Sequence, residues 1–260
     1  MASVNQNSGC MLPAERRSII RFVIPNGVTT ISLLIGLWAL TCASRGEPEN
    51  AAWWILVSVL LDKLDGTFAR LLNGSSDFGV QLDSLSDLIC FGLAPAATVA
   101  VFTSSLPSWW AGGMEWLLWA CCATLPVAAA WRLAKFNVIT SEMGSKYFLG
   151  IPTTHVGGLV ATSILVASRY SIEGAADAMP VLSVGFSFWM ISSLPMPKLQ
   201  ATDSRLMNIV LVVNVAAAYI LVPMRMFPEL LFAQALLYAV GGTLTSLRKR
   251  SSLKAPLLFY

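Results

Sequence analysis

Hydrophobic and polar positions separate into long blocks along this chain. Apolar runs of about twenty residues, the length that an α-helix needs to cross a bilayer, alternate with short polar stretches. Eight such runs are predicted as membrane spans, with the approximate bounds 27–43, 50–72, 80–104, 110–134, 151–168, 177–195, 207–223 and 227–247. The pattern therefore predicts an all-α polytopic membrane protein with about eight transmembrane helices.

The segment before the first predicted span has a different pattern. Arg16, Arg17 and Arg21 alternate with isoleucine and valine residues between positions 19 and 24. This alternation predicts a short N-terminal amphipathic helix that lies at the membrane interface. An ordinary basic flank of the first span explains the same residues equally well.

The composition agrees with a membrane protein. Hydrophobic residues make up 56% of the chain, charged residues make up 12%, and the mean hydropathy is +0.68. A soluble domain carries about twice that share of charge. We expect one membrane domain at 13–250, between a disordered N-terminus (1–12) and a C-terminal tail (251–260). The first eighteen residues lack an apolar core, so no cleavable signal peptide is expected.

The distribution of basic residues predicts the orientation. If both termini and every second loop face the cytoplasm, that side holds 14 of the 17 Lys and Arg residues. Only Arg45, Arg169 and Arg225 then lie outside, as the positive-inside rule requires. We therefore expect a multi-pass protein of the plasma membrane with both termini in the cytoplasm. The net charge of +3 reflects this topology and does not indicate nucleic-acid binding.

Four aspartates lie within the apolar segments: Asp62, Asp65, Asp83 and Asp87. A carboxylate at membrane depth costs about 2.5–3.5 kcal/mol on insertion scales, so we expect these residues to have a function. Spacings of three and four residues place each pair on one helix face. Two such faces turned together would form a cage of oxygen ligands, which Mg²⁺ and Mn²⁺ prefer. For isolated intramembrane aspartates, a buried ion pair or a proton path is the alternative.

The aspartates belong to a longer pattern, D-x-x-D-G-x-x-A-R-x8-G-x-x-x-D-x-x-x-D. Its fixed positions here are Asp62, Asp65, Gly66, Ala69, Arg70, Gly79, Asp83 and Asp87. This pattern resembles the signature of the CDP-alcohol phosphatidyltransferases. The resemblance implies that an alcohol attacks the lipid-linked phosphorus of CDP-diacylglycerol and releases CMP. It also implies that the four aspartates hold two divalent ions, Mg²⁺ or Mn²⁺, and that Asp87 takes the proton of the acceptor hydroxyl.

The resemblance extends to a binding site for CDP-diacylglycerol. The residues that it assigns to this site are Asn26, Thr29, Gly66, Ala69, Arg70, Ser76 and Gly79. The two glycines would let the substrate approach the helix backbone, or would let helices pack closely. Arg70 would neutralise diphosphate oxygens, unless it is a basic residue that reaches to the interface. Ser76 would lie near the nucleotide, or would be an ordinary loop serine.

A narrower resemblance concerns the acceptor. Residues 79–96 (GVQLDSLSDLICFGLAPA) and 132–137 (RLAKFN) are similar to the bacterial-type integral membrane phosphatidylserine synthases. L-serine is then the expected acceptor, with choline, inositol phosphate or glycerol phosphate as alternatives. Arg132 and Lys135 would bind the serine carboxylate or a diphosphate oxygen, or would simply be a basic flank. The resemblance also implies a homodimer.

Three departures from that subfamily occur. Cys90 replaces a serine, Asn73 replaces a threonine, and Thr153-Thr154-His155 replaces a stretch of small residues. We expect these changes to alter the acceptor pocket without touching the aspartate cage. His155 is the only histidine, and we expect it to pack between helices or to line the pocket instead of binding metal.

A cation channel or transporter lined by the aspartates is an alternative from another class. Such a protein is expected to show inverted repeats or matching broken helices. The sequence contains neither.

Overall fold

The structure is a computed structural model that describes residues 13–72, 76–104, 109, 113–142, 148–192, 194–196 and 205–250. Its helices are α1 (Pro13–Ser44), α2 (Pro48–Leu72), α3 (Asp77–Asp87), a π-helix (Leu88–Leu93), α4 (Ala94–Ser104), α5 (Glu115–Glu142), α6 (Thr153–Arg169), α7 (Ala175–Ile191), α8 (Arg205–Met224) and α9 (Pro228–Arg250). Two-residue strands, β1 (Phe148–Leu149) and β2 (Pro195–Met196), pair in antiparallel fashion. The predicted all-helical class is confirmed, apart from this short β pairing.

Every predicted span coincides with helix, and the differences lie at the ends. The helix α1 begins at Pro13 and continues through Pro25, so the predicted interfacial helix is not a separate element. A proline inside a helix removes one backbone hydrogen bond, and the long helix on either side tolerates this loss. Similarly, α5 runs to Glu142, beyond the predicted end at 134. Hydropathy detects the end of the apolar run, and a helix can continue past that point.

Three segments among the described residues are long and apolar enough to cross a membrane: Phe22–Ser44, Asp77–Ser104 and Glu115–Val138. The second of these is one continuous helix made of α3, the π-helix and α4. Apolar helices of shorter length occur at Ala175–Ile191 and Val212–Met224. The structure thus supports a membrane-integral helical protein, and the number of eight spans stays a prediction. The predicted disordered ends, 1–12 and 251–260, lie outside the described residues.

Small residues let neighbouring helices pack closely against the helices that carry the aspartates. Where α1 meets α2, the Ser32 and Ser58 hydroxyls each lie 3.4 Å from the other residue's carbonyl oxygen. Where α6 meets the π-helix, a Cβ at Gly157 would lie only 2.9 Å from the Phe91 ring. Short side chains at such contacts let helix backbones approach closely. The start of α6 is therefore placed directly against the motif helices.

The β pairing sets the path of the chain into α6. Gly150 has a φ of +72° and donates its backbone N–H to the Leu194 carbonyl at 2.8 Å. A side chain at this position would collide with the carbonyl oxygens of Met190 and Ser192, so glycine is required here. Three residues later α6 begins at Thr153.

Candidate metal and nucleotide site

Three of the four predicted metal ligands form one cluster. Asp62 of α2 and Asp83 and Asp87 of α3 each offer a carboxylate oxygen, and these oxygens all lie within 4.8 Å of one another. An ion with oxygen ligands at about 2.0–2.4 Å fits between atoms separated by this distance. A donor set made only of carboxylate oxygens suits Mg²⁺ or Mn²⁺. The two helix faces therefore turn toward each other, as their spacing predicts.

The fourth aspartate lies beside this group. Asp65 is buried, and its Oδ2 accepts a hydrogen bond from the Thr29 hydroxyl at 2.9 Å. It is close enough to Asp62 and Asp83 for the charges to interact, but it is not one of the three clustered ligands. Thr29, which the family resemblance assigns to the CDP-diacylglycerol site, is itself buried and reaches the site through Asp65.

Two threonine hydroxyls hold the clustered carboxylates, and sequence reasoning missed both. Thr153 donates to Asp87 Oδ2 and Thr154 donates to Asp62 Oδ2, each at 3.2 Å. The expectation that residues 153–155 do not touch the aspartate cage is therefore wrong. A hydroxyl has a single proton, so each threonine restrains one carboxylate oxygen, and Asp62 and Asp87 also hydrogen-bond with each other. The only local signal was two hydroxyl residues in succession at the start of an apolar span.

Three residues of the predicted nucleotide site come together at the start of α3. Ser76 caps this helix by accepting a hydrogen bond from the Gly79 backbone N–H at 3.0 Å. A Cβ at Gly79 would lie 2.9 Å from Asn26 Oδ1 and 3.2 Å from Ser76 Oγ. Close packing of Asn26 and Ser76 therefore explains the glycine at position 79.

The remaining residues of that predicted site lie on α2. Gly66 is exposed, and a Cβ there would meet no atom within 4 Å. It therefore packs against no neighbouring helix among the described residues, and the space beside its backbone is open. Ala69 and Arg70 continue the helix, and their side chains lie outside the described part of the structure.

The C-terminal half of α5 supplies the two basic residues of the predicted acceptor site. Arg132 is partly buried and close enough to Asp87 for the two charges to attract. Lys135 is partly buried one turn further along α5. In the next turn, the Asn137 Nδ2 donates to Ser84 Oγ at 3.0 Å, which ties α5 to the helix that carries Asp83.

His155 packs between helices, which confirms one of the two roles expected for it. Its Nε2 lies 2.9 Å from the Ala235 carbonyl oxygen, and its ring contacts Tyr238 with 4.4 Å between centroids. Cys90 also packs between helices. It is buried, and its thiol donates to the Ser32 carbonyl at 3.3 Å.

Comparison with known proteins decides the family. The family model for CDP-alcohol phosphatidyltransferases matches residues 22–190, a range that includes all four aspartates. This chain belongs to the CDP-alcohol phosphatidyltransferase family. The family match ends within α7, yet α9 contacts the site region through the carbonyl of Ala235 and the ring of Tyr238.

Individual relatives align with most of the chain. The CDP-diacylglycerol–serine O-phosphatidyltransferase of Mycobacterium bovis is 30% identical over 199 residues, which cover 74% of this chain and 66% of the relative. The protein of the same name from Helicobacter pylori strain J99 is 31% identical, over 74% and 78%. An archaetidylserine synthase from Methanothermobacter thermautotrophicus is 31% identical, over 70% and 73%. The chain thus spans slightly less than two thirds of the length of the mycobacterial relative.

Proposed function

We propose that this protein transfers the phosphatidyl group of CDP-diacylglycerol to the hydroxyl of L-serine, and that the products are phosphatidylserine and CMP. The observation that carries the proposal is the cluster of Asp62, Asp83 and Asp87, which the family motif supplies from two helices. The names of the aligned relatives support serine as the acceptor.

The four aspartates are assigned to two divalent ions, Mg²⁺ or Mn²⁺. Asp62, Asp83 and Asp87 offer clustered oxygens, and Asp65 lies next to them. When bound, such ions neutralise the diphosphate and stabilise the charge on the attacking and leaving oxygens. Without a cation, the neighbouring carboxylates repel one another.

Asp87 is assigned as the general base. Its Oδ2 accepts the hydrogen bond from Thr153, its carboxylate also hydrogen-bonds with Asp62, and a carboxylate in this position can take the proton of the acceptor hydroxyl. Arg132 lies close enough to interact with this carboxylate. A cation there can hold the acceptor carboxylate beside the base, and Lys135 can assist one turn away.

The residues assigned to CDP-diacylglycerol lie on α1, on α2 and at the start of α3. Asn26, Ser76 and Gly79 pack together at the start of α3, where polar groups suit the nucleotide. Gly66 leaves its backbone open to the substrate. Ala69 is assigned because a small residue keeps this approach open, and Arg70 is assigned to the diphosphate oxygens. Thr29 is assigned a supporting role through Asp65.

The proposed topology has eight transmembrane helices in the plasma membrane, with the site and both termini in the cytoplasm. Contacts of two of the three exceptional arginines, Arg169 and Arg225, support it. Arg225 donates to Asn50 at 2.8 Å, and Arg169 pairs with Glu229 at 3.3 Å. The turns after α1, α6 and α8 thus meet at one end of the bundle, as alternating spans require. A homodimer is also proposed, on the family resemblance alone.

An acceptor screen tests the proposed function. Purified protein is supplied with labelled CDP-diacylglycerol, Mg²⁺ or Mn²⁺, and one alcohol at a time. We expect L-serine to yield phosphatidylserine and CMP in equal amounts. If choline or glycerol 3-phosphate supports CMP release and L-serine does not, the acceptor is wrong and the transferase class stands. If no alcohol supports CMP release by folded protein, the transferase proposal itself fails.

A further inference from the structure

Two buried polar atoms on α5 have no hydrogen-bond partner. Within the described part of the chain, the buried side-chain atoms in this condition are Arg132 Nε, Asn137 Oδ1 and Glu229 Oε2. Glu229 is in the first turn of α9 and lies beside Arg169, which ends α6. The other two atoms lie on the part of α5 that faces the aspartate cluster. A buried polar atom without a partner is destabilising, so a pair of them next to a candidate site indicates a ligand that satisfies both.

The orientation of the Asn137 amide follows from the hydrogen bonds of Ser84. The Ser84 hydroxyl donates its single proton to the Val80 carbonyl at 3.0 Å, so it can only accept from Asn137. The amide nitrogen must therefore face Ser84, as observed at 3.0 Å. The unpaired atom of the amide is then its oxygen. Ser84 lies one turn before Asp87, so the amide is held where α5 contacts the helix that carries Asp83 and Asp87.

The two unpaired atoms have complementary chemistry. Arg132 Nε is a charged donor that attracts a carboxylate, and Asn137 Oδ1 is a neutral acceptor that suits an ammonium group. The two residues are five positions apart on α5, a helical rise of about 7.5 Å, and both side chains reach α3, where Arg132 is near Asp87 and Asn137 contacts Ser84 one turn earlier. An α-amino acid that makes a hydrogen bond of about 2.9 Å at each end spans a comparable distance. The pair is thus suited to an amino-acid zwitterion.

We propose that Asn137 is a specificity-determining residue of the acceptor site. Its Oδ1 accepts a hydrogen bond from the acceptor's ammonium group, while Arg132 Nε donates to the acceptor's carboxylate. This inference rests on the proposed transferase function. Ser84 is a positioning residue, because it fixes which end of the amide faces the acceptor. Since Oδ1 is closed to bulk water in this conformation, the acceptor reaches it when neighbouring side chains move.

An amide suits this position better than a carboxylate does. Four aspartates already concentrate negative charge nearby. A fifth acid would add to the repulsion among them and would compete for the divalent ions. The amide oxygen accepts from the ammonium group without adding charge.

The test uses three acceptor probes that differ by one charged group. L-serine carries both groups, ethanolamine lacks the carboxylate, and 3-hydroxypropionate lacks the ammonium group. In Asn137→Leu we expect the KM for L-serine to rise about 10- to 100-fold, while the KM for CDP-diacylglycerol stays unchanged. Ethanolamine should compete with L-serine more weakly than in the wild type, and 3-hydroxypropionate should compete equally well. Arg132→Gln should show the opposite selectivity.

Matched variants keep the test decisive. Ser84→Ala should raise the KM for L-serine by a smaller factor, because it only frees the amide to rotate. Asn50→Leu makes the same exchange at the far end of α2, where Asn50 accepts from Arg225, and it should leave the KM for L-serine unchanged. If Asn137→Leu does not fold, Asn137→Ala and Ser84→Ala carry the same selectivity test.

The outcomes separate the two proposals. If the wild-type protein converts L-serine but Asn137→Leu weakens all three probes and CDP-diacylglycerol equally, Asn137 only packs α5 against α3 and the inference is overturned. If the wild-type protein does not convert L-serine, the proposed acceptor fails first. In that case the probes are tested as competitors of whichever alcohol supports CMP release; weaker competition by ethanolamine in Asn137→Leu would still support an ammonium site, and unchanged competition would overturn it.

Discussion

Individual carboxylates in this site are restrained by hydroxyl groups from other helices. Thr29 holds Asp65, Thr153 holds Asp87 and Thr154 holds Asp62. Each hydroxyl restrains one oxygen through a single proton. Asp62 and Asp87 also hydrogen-bond with each other, so the positions of the candidate ligands are restrained without a cation.

The aspartates themselves give the first prediction. Asp87→Asn should lower kcat by about 100-fold or more, because the amide can neither take a proton nor bind a cation strongly. Asp62→Asn and Asp83→Asn should also abolish turnover while the protein still folds. CMP release measures these effects, and Asp177→Asn at the start of α7 is the control for the same chemical change. Full activity in excess EDTA would falsify the metal site.

The threonine hydroxyls give a second prediction. Thr153→Val keeps the shape of the side chain and removes the hydrogen bond to Asp87, which should lower kcat by about tenfold. It should also raise the Mg²⁺ concentration needed for half-maximal activity. Thr153→Ser retains the hydroxyl and should keep most of the activity. Equal losses in the Val and Ser variants, measured in the same Mg²⁺ titration, would assign Thr153 to packing alone.

At the level of helices, the site depends on the contact between α6 and the π-helix. The π-helix begins directly after Asp87, and its Phe91 packs on Gly157 of α6. Gly157 lies one turn after Thr153, and Phe91 lies one turn after Asp87. The glycine contact and the threonine hydrogen bond are therefore consecutive contacts along one helix interface. π-helices are rare and frequently lie at functional sites.

This interface predicts different outcomes for two adjacent glycines. In Gly157→Ala the new Cβ would lie 2.9 Å from the Phe91 ring and 3.2 Å from its Cα, so α6 must move away from the π-helix. Overpacking of this kind costs about 1–3 kcal/mol, and the movement lengthens the Thr153–Asp87 hydrogen bond. Both the melting temperature and kcat should fall. In Gly158→Ala the nearest atom is Val59 Cγ2 at 3.9 Å, so both should remain near the wild-type values.

The open backbone at Gly66 gives a further prediction for α2. A Cβ there meets no atom within 4 Å, and alanine is the better helix former by about 1 kcal/mol. Gly66→Ala should therefore keep or raise the melting temperature, while the KM for CDP-diacylglycerol rises because the substrate approach is narrowed. An unchanged KM would mean that the substrate does not approach this face. Gly79→Ala is the contrasting variant, since its Cβ would crowd Asn26 in the absence of any substrate.

For the whole molecule, the packing of the helix ends agrees with the topology that the distribution of basic residues predicts. The three arginines that the positive-inside rule leaves outside all have partners at one end of the bundle. Arg169 pairs with Glu229, Arg225 lies over the Trp54 ring at 5.7 Å, and Arg45 lies over the Trp38 ring at 5.3 Å. Charges that are paired in this way stabilise the end of the bundle opposite the aspartates.

Labelling of single cysteines tests this arrangement in cells. In a variant without the five native cysteines, a cysteine near Lys146 or in the C-terminal tail should react only after the membrane is made permeable. A cysteine near Glu47 should react with an impermeant reagent in intact cells. Labelling of both termini from opposite sides of the membrane would contradict the even number of spans.

The sequence by itself determined the helical segments, the family and which four aspartates belong to the family motif. Apolar runs report whether one segment can cross a bilayer, and spacings such as that of Asp83 and Asp87 report one helix face. These properties are local, so they need no knowledge of neighbouring helices. The same reasoning did not predict that α1 continues through Pro25 as one helix, because hydropathy does not show where a helix begins.

Only the tertiary structure decided which residues surround the aspartates. Thr153 and Thr154 lie 66 and 92 positions from the carboxylates that they hold, and His155 lies 80 positions from Ala235. Asn137 ends the 132–137 segment, but the role of its amide emerges only when the amide is seen fixed by Ser84, 53 positions away. Such contacts depend on how small residues such as Gly157 let two helices approach. A pattern along one helix does not specify which distant helix packs against it, and that choice is made by the packing of the whole bundle.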